Sequence, residues 1–376
     1  MRASSRKLLL GIAALLLLGF IVYRSSGMIG LAGFSGAKLG GAVRHANIPL
    51  LLLSIVAIYA CYAIRALRWQ VFQRNLGGSR FWPIYSMTLA GFAAVFLLGR
   101  AGEPIRPMLL ARKEKLPFAD MFGIYALERL FDAASTAVIA AVALILFQSH
   151  AHAGESAGKL ATAARTTGTV LFAGVIGAVA FLVYLRVHGT ALLERRLQGW
   201  IAAGGWREKI AGILLGFARG IQTIRGWGDF ALSVFYSAAH WVLVLLVYLW
   251  ISHAFGGTLG AFTMGAAMLV MAFTLVGSAV QLPGVGGGSQ VASFLAYTAI
   301  FGVEKEPAAA VSIVLWLITF AACSVVGAPL LLHQGLSLGK LRELAEEEKK
   351  EVDLELEQAP LGSAGAAEAD VRRDAE

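Results

Sequence analysis

One short segment of the chain combines three charged residues with residues that interrupt a helix. Its sequence is GRAGEPIRP, residues 99–107, and long apolar stretches flank it. Charges placed within apolar sequence are costly, so they usually pair or face a functional interior. Pro104 suits the first position of a new helix, with Glu103 before it as a cap. The segment predicts a half-helix that begins inside a bilayer, beside the cations Arg100 and Arg106.

A second break in the apolar sequence is rich in glycine and carries no charge. It reads PGVGGGSQ, residues 283–290, with Ser289 as the expected N-cap of the helix that follows. Gly284, Gly286 and Gly287 would leave backbone N–H groups unshielded by side chains. If the two breaks meet, two helix N-termini point at one site flanked by arginines, which suits an anion such as a lipid phosphate. Tight packing or a hinge would also require glycine.

A third polar element follows the first break, where Glu128, Arg129 and Asp132 interrupt an apolar helix. Glu128 and Asp132 are four residues apart and share a helix face. They can pair with Arg100 or Arg106 across a helix interface, or with Arg129 after local adjustment. Two interpretations remain open: direct contact with a substrate or proton, and an ion network that holds the structure together.

Other polar residues offer weaker signals. Arg65 and Arg68, beside Trp69, are expected to extend to the cytoplasmic headgroups. The histidines and cysteines predict no metal site, no disulfide and no cofactor: they are His150 and His152 in a predicted outer loop, the isolated His240, and Cys61 and Cys323 within apolar segments. The sequence contains no nucleophile elbow, Walker loop or zinc-protease motif.

Composition requires a membrane to position these residues. Of the 376 residues, 58% are apolar and 15% charged, and mean hydropathy is +0.71, whereas soluble domains carry about 25% charged residues. The net charge of +9 does not indicate nucleic-acid binding, because the basic residues lie in short runs between apolar stretches. The composition predicts an all-α polytopic membrane protein.

Eight segments are long and apolar enough to cross a bilayer, which takes about 20 residues. They are residues 8–23, 47–64, 81–98, 121–147, 169–185, 230–255, 261–282 and 307–332. The first has no small-residue cleavage site after it, so we expect an uncleaved anchor rather than a signal peptide. Two further apolar pieces, 104–112 and 289–301, are too short to span and begin at the two breaks, which predicts re-entrant half-helices.

The distribution of basic residues favours this topology. If residues 81–112 and 261–301 are hairpins entering from opposite faces, most of the 32 Lys and Arg residues lie in cytoplasmic segments, as expected. A straight eight-crossing topology would instead place the basic loop 186–229 outside. We therefore expect hairpins, both termini in the cytoplasm, and a prokaryotic inner membrane as the location.

The predicted elements form two similar halves of opposite sense, about residues 47–147 and 230–332, each with a span, a hairpin and a span. Inverted repeats with interrupted helices are typical of secondary transporters, whose substrate site lies near the midplane. The predicted domains are an anchor and outer loop at 1–46, the membrane domain at 47–332, and a charged, largely disordered tail at 333–376. Within the membrane domain, residues 186–229 are expected to form an amphipathic cytoplasmic elbow, which either connects the halves or senses lipid.

The ordered motifs GEPIR (102–106), ERLFD (128–132) and PGVGG (283–287) resemble those of the lysylphosphatidylglycerol synthase transmembrane-region family, also called flippase-like domain proteins. The resemblance covers about residues 47–332. In the multiple peptide resistance factor, a similar domain is fused to a cytosolic aminoacyl-transferase and translocates aminoacylated phospholipid. That transferase is absent here, so the resemblance implies transport and no aminoacylation. It implies a polar core of Arg100, Glu103, Arg106, Glu128, Arg129 and Asp132, with Gly284, Gly286 and Gly287 as backbone donors.

We therefore expect a flippase-like lipid translocase that binds an anionic phospholipid or lipid-linked headgroup between two hairpins. It lacks an ATPase motif, so movement would use an ion gradient, with Glu103 or Glu128 carrying protons, or run downhill. One alternative is an integral-membrane enzyme acting on a lipid-linked phosphate or glycan through Glu128 and Asp132. The other is a lipid-binding scaffold that does not transport. A separately encoded lipid-modifying enzyme and a second copy of the chain are further partners to consider.

Overall fold

The computed structural model describes residues 36–77, 80–116, 118–146, 162, 165–177, 180, 191–202, 226–278, 281–282 and 286–333. Within these ranges the chain is helical apart from one short antiparallel pairing. The predicted anchor at 8–23, the tail after residue 333 and most of the elbow lie outside the described residues. Of the predicted span 169–185, residues 169–177 and 180 are described and are helical.

Eleven helices are labelled here in chain order. They are α1 (Gly36–His45), α2 (Ile48–Gln73), α3 (Phe81–Leu98), α4 (Ile105–Glu114), α5 (Phe118–Ile145), α6 (Ala191–Ala202), α7 (Trp227–Ala254), α8 (Met264–Gly277), α9 (Gly288–Leu295), α10 (Lys305–Trp316) and α11 (Ala322–His333). A π-helical turn, Ala296–Ile300, extends α9, and another, Leu317–Ala321, joins α10 to α11. Single 3₁₀ turns occupy Arg74–Leu76, Gly99–Gly102 and Gly257–Ala261.

Four helices of the described part are long and apolar enough to cross a membrane: α2, α3, α7 and the continuous helix Lys305–His333. Helix α5, with 28 residues, is also long enough, but charged residues interrupt its centre. The structure thus confirms an all-helical protein with apolar spans. The count of eight spans and their re-entrant arrangement stay predictions.

Both breaks separate two helices that pack against each other. Helix α3 ends at Gly99, whose φ of 68° and ψ of −147° suit glycine, and α4 then packs back on α3. Helix α8 similarly packs on α9. Helix α4 has 10 residues, or about 15 Å at 1.5 Å per residue, which is half the thickness of a bilayer core. The structure thus shows a packed helix pair at each break, as predicted, whereas re-entry into the membrane stays a prediction.

Glycines allow the hairpin arms to approach closely. A Cβ atom at Gly91 in α3 would clash with the Cβ of Arg106 and lie 2.8 Å from its Cγ. In the second hairpin, a Cβ at Gly277 would meet the carbonyl oxygen of Gly288 and lie 2.5 Å from the Cβ of Ala292. Substituting a larger residue at either position would force the arms apart.

The two halves contact each other in pairs. Helices α2 and α7 lie antiparallel, because the backbone N–H of Asn47 donates to Ala254 at 2.7 Å at one end, and Arg74 pairs with Asp229 at 2.8 Å at the other. Helix α3 of the first half packs on α11 of the second, and α8 of the second half packs on α5 of the first. Exchanging the halves therefore reproduces these contacts.

The second break is a small turn in its own right. Gln281 pairs with Gly287, and Leu282 with Gly286, as two antiparallel strands β1 (Gln281–Leu282) and β2 (Gly286–Gly287). Strand β1 contacts the 3₁₀ turn Gly99–Gly102 of the first break. The two breaks thus meet in space, as their sequences led us to expect.

Candidate functional site

Helix α2 supplies three side chains that the sequence analysis did not assign to the polar core. Arg65, Arg68 and Trp69 share one face, because residues three and four apart are neighbours on a helix. The structure buries all three, with exposed fractions of 7%, 1% and 0%. The expectation that the two arginines reach the cytoplasmic headgroups was wrong: α2 continues to Gln73, so they lie within the helix and face α5.

Glu128, which is fully buried, lies at the centre of this charge network. Arg65 Nη1 and Arg68 Nη2 donate to its Oε1 at 2.8 and 3.0 Å, and the indole Nε1 of Trp69 donates to Oε2 at 2.9 Å. Arg106 forms a further ion pair with Oε2. A buried carboxylate needs such partners, because burying an unpaired charge costs several kcal/mol.

Asp132, one turn further along α5, extends the network. Its Oδ1 accepts from Arg68 Nη2 at 2.9 Å, and its Oδ2 lies 3.0 Å from both Arg65 Nη2 and Arg129 Nη2. The side chain of Arg129 is 38% exposed, unlike the other three arginines. The predicted pairing of Glu128 and Asp132 with Arg106 and Arg129 is confirmed.

Helix α7 of the second half completes the network. Arg65 Nε donates to His240 Nε2 at 3.2 Å, and Arg68 Nη1 donates to the hydroxyl of Ser237 at 2.8 Å. The histidine that looked isolated in the sequence therefore belongs to the polar core. One feature of the sequence could have revealed Arg65 and Arg68 as core residues. Apolar and aromatic residues continue after Arg65, and the helix accordingly extends to Gln73, beyond the predicted end of the span at residue 64.

The first break contributes Arg106 and Glu103. The guanidinium of Arg106 lies 4.6 Å from the ring centroid of Trp69, a cation–π contact. Glu103 does not cap the next helix: Pro104 occupies the N-cap position of α4, and the carboxylate instead accepts a short hydrogen bond from the Tyr125 hydroxyl. Arg100 belongs to the 3₁₀ turn Gly99–Gly102, and its side chain lies outside what the structure describes.

Positive charge exceeds negative charge in this interior. The described network contains four guanidinium groups, on Arg65, Arg68, Arg106 and Arg129, and two carboxylates, on Glu128 and Asp132. Glu103 adds a third carboxylate nearby without an ion pair among the described residues. The remaining positive charge favours an anionic ligand, since like charges inside low-dielectric surroundings repel strongly.

A cavity of about 430 Å³ adjoins the network and is lined by both halves of the chain. Arg65, Glu103, Arg129, Asp132 and His240 form its charged wall, whereas the rest is largely apolar or aromatic, with residues such as Ile58, Phe92, Val244 and Leu275. Glu128 does not line it. A smaller cavity of about 50 Å³, between Arg106, Tyr125 and Arg129, lies next to it. One charged wall and one apolar wall suit an amphiphile.

The glycine-rich break does not face this cavity with its described residues. Gly286 and Gly287 pair with strand β1, and Gly287, at φ 113°, is the N-cap of α9 in place of Ser289. Ser289 is buried in the first turn of α9, and neither Gly287 nor Ser289 lines the cavity. Gly284 lies outside the described residues. The second hairpin reaches the cavity instead through Leu275 and Ser278.

The arrangement offers little to a metal ion. No group of three His, Cys, Asp or Glu side chains in the described ranges is placed to hold one. The two network carboxylates are already surrounded by guanidinium groups, which repel a cation.

Comparisons with known proteins agree with this geometry. The family model described as the lysylphosphatidylglycerol synthase TM region matches residues 8–327. No curated protein matches the chain. The matched residues include the polar core, both hairpins, three of the four apolar spans named above and most of the fourth, so this is a membrane protein. The chain belongs to the lysylphosphatidylglycerol synthase transmembrane-region family.

Proposed function

We propose that this protein is a flippase-like lipid translocase that binds an anionic phospholipid or lipid-linked headgroup in the 430 Å³ cavity. The observation that carries the proposal is the excess of guanidinium groups over carboxylates in the charge network that adjoins a cavity lined by both halves. An anionic headgroup would compensate that charge, and the apolar wall would accommodate the start of its hydrocarbon chains.

The contacts between the halves support an inverted repeat with re-entrant hairpins. Antiparallel α2 and α7, and the exchangeable pairs α3 with α11 and α8 with α5, are what two halves of opposite orientation would produce. In such folds, the halves rock around a site at their interface and expose it alternately to the two sides. The cavity occupies that position, next to the meeting point of the two breaks.

The alternative of a membrane enzyme has less support. Its acid–base pair would be Glu128 and Asp132, yet Glu128 is fully buried outside the cavity wall and accepts from several donors. General acid–base catalysis requires a group within hydrogen-bond reach of the substrate. We therefore propose transport without a reaction on the lipid.

Translocation can be measured in vesicles of phosphatidylcholine and phosphatidylglycerol that contain a trace of acyl-labelled fluorescent phosphatidylglycerol. Dithionite destroys the label in the outer leaflet, so the rate of further loss reports transfer between leaflets. We expect the protein to accelerate transfer over protein-free vesicles, with or without an imposed proton gradient. Arg129→Gln, which removes the half-exposed guanidinium of the cavity wall, should slow transfer about tenfold or more.

Arg112→Gln is the matched control, because Arg112 is exposed near the end of α4 and does not line the cavity. It should transfer lipid at the unaltered rate. Transfer no faster than in protein-free vesicles, both with and without the gradient, would contradict the proposal. Equal slowing by both variants would show that the effect comes from general loss of positive charge and not from the cavity.

A further inference from the structure

Three N–H donors at the cavity have no hydrogen-bond partner among the described residues. They are Nε of Arg129, Nδ1 of His240 and Nε1 of Trp241, and all three side chains line the 430 Å³ cavity. His240 and Trp241 are 5% and 7% exposed. A buried donor without an acceptor costs about 1–3 kcal/mol, and folded proteins seldom leave one unpaired. Three together indicate that an acceptor is missing.

The hydrogen bond at Nε2 of His240 determines which ring nitrogen carries the proton. Arg65 Nε donates to His240 Nε2 at 3.2 Å, and arginine has no acceptor, so Nε2 must accept. A neutral imidazole then carries its proton on Nδ1. The unpartnered ring nitrogen is therefore a donor, like those of Arg129 and Trp241.

The side chains that carry the three donors all line the cavity, and a chain of contacts links them across the two halves. Arg129 and Arg65 both lie 3.0 Å from Oδ2 of Asp132, and Arg65 in turn reaches His240 at 3.2 Å. The ring of Trp241 is 5.2 Å from that of His240 between centroids. One anionic group could thus meet donors from α5 of the first half and from α7 of the second.

Both carboxylates of the same wall already have hydrogen-bond partners. Both oxygens of Asp132 bind guanidinium groups. Glu103 accepts from Tyr125, and it is the one carboxylate of the wall without an ion pair among the described residues. The wall therefore offers donors to a ligand and few acceptors, which suits phosphate oxygens and disfavours an ammonium group.

Resting on the proposed function, we infer that Arg129, His240 and Trp241 form the phosphate subsite for a net anionic lipid whose headgroup is not aminoacylated. The phosphodiester oxygens accept from the three donors, and the apolar wall contacts the chains. An aminoacylated headgroup would bring one ammonium group, or two in the lysyl ester, to an interior that already has an excess of positive charge. The chemistry recognised is a phosphate group, which a lipid or free phosphate could supply.

Binding to the detergent-purified full chain tests this subsite, with dihexanoyl phosphatidylglycerol as the probe and calorimetry as the measurement. Trp241→Phe removes the indole N–H but keeps an aromatic ring, and it should weaken binding about tenfold. Trp316→Phe is the matched control, because Trp316 is also buried and is not among the residues that line the cavity. It should bind the probe as the unaltered protein does.

Arg129→Gln provides a second variant at a half-exposed position, where folding is less at risk, and it should weaken binding by a similar factor. Thermal unfolding of each variant verifies that it folds. Unaltered binding in both Trp241→Phe and Arg129→Gln would overturn the subsite. Equal weakening by Trp316→Phe would do the same.

Two further probes distinguish the ligand classes. Lysylated dihexanoyl phosphatidylglycerol should bind at least tenfold more weakly than the anionic probe. Equal or tighter binding of this lysylated lipid, lost in Glu103→Gln, would overturn the inference in favour of headgroup recognition through the carboxylate. Inorganic phosphate should compete weakly, and competition as strong as that of the lipid would make the cavity a site for free phosphate.

The outcomes also separate this inference from the proposed function. If the unaltered protein binds anionic lipid and the cavity variants do not differ, the lipid site exists but lies elsewhere, and the subsite alone fails. If the unaltered protein binds none of the lipid probes, the proposed translocase fails together with the subsite.

Discussion

Glu128 and Arg129 are neighbours in sequence, yet the structure gives them different surroundings. Glu128 is fully buried, accepts from several donors and does not line the cavity, whereas Arg129 is 38% exposed and lines both cavities. A residue without access to the cavity cannot touch a ligand there. The polar core therefore contains residues that hold the helices together, with Glu128 foremost, and residues that face the ligand, with Arg129 foremost.

This division predicts a large loss of stability for Glu128→Gln. The neutral amide would leave Arg65, Arg68 and Arg106 facing each other with one carboxylate fewer, and breaking a buried pair in this way costs about 3–5 kcal/mol. The free energy of unfolding, measured by titrating the micelle-bound protein with SDS, should fall by about that amount.

Glu103→Gln is the matched control for this substitution. The amide oxygen can still accept from Tyr125, and no ion pair among the described residues is lost, so the free energy of unfolding should change by less than about 1 kcal/mol. Equal stability of the Glu128 and Glu103 variants would show that the network does not hold the fold.

At the residue scale, the sequence predicted part of the site. The triplet Glu128, Arg129 and Asp132 was identifiable because charges within apolar sequence are rare. Arg65 and Arg68 were assigned to the headgroup region because they follow an apolar run, and such arginines commonly extend to the interface. Only three-dimensional packing shows that two carboxylates of α5 face Arg65 and Arg68 and offset the desolvation of these buried charges.

At the scale of elements, the two hairpins depend on close contact between their arms. Helix α8 approaches α9 so closely at Gly277 that an added methyl group would meet the backbone of Gly288. The sequence predicted both breaks and the short helices that follow them, since proline, glycine and short apolar runs mark these segments. It could not predict the N-caps Pro104 and Gly287, because capping propensity favours Ser289 over glycine and does not favour proline.

Gly277→Ala should therefore destabilise the second hairpin. The overpacked methyl group forces α8 and α9 apart, at a cost of about 1–3 kcal/mol, and SDS titration should show that decrease in the free energy of unfolding. Gly265→Ala in the same helix is the control, because its Cβ would lie 3.8 Å from the Cβ of Leu146, an ordinary contact. That variant should be unchanged or slightly more stable, since alanine favours helix. Equal stability of the two variants would contradict close packing at Gly277.

At the scale of the whole molecule, the pairs α2 with α7, α3 with α11 and α8 with α5 relate the two halves by exchange. If the halves have opposite orientations in the membrane, the two hairpins must open to opposite sides of it. The contacts between helices do not test this consequence. The cluster Arg112, Lys113 and Lys115 at the end of the first hairpin favours the cytoplasm for that end. With opposed hairpins, we expect the residues after the second hairpin to lie outside.

This orientation predicts the labelling of two single-cysteine variants, Lys113→Cys and Lys305→Cys, by a maleimide that does not cross membranes. Both positions are exposed, and the native Cys61 and Cys323 are buried and can be replaced by alanine to remove background. In intact cells, position 305 should react and position 113 should not, while both should react after permeabilisation, which serves as the control. The reverse pattern would invert the proposed orientation. Labelling of both positions from one side would contradict the opposed hairpins, because two halves of the same orientation would place these ends together.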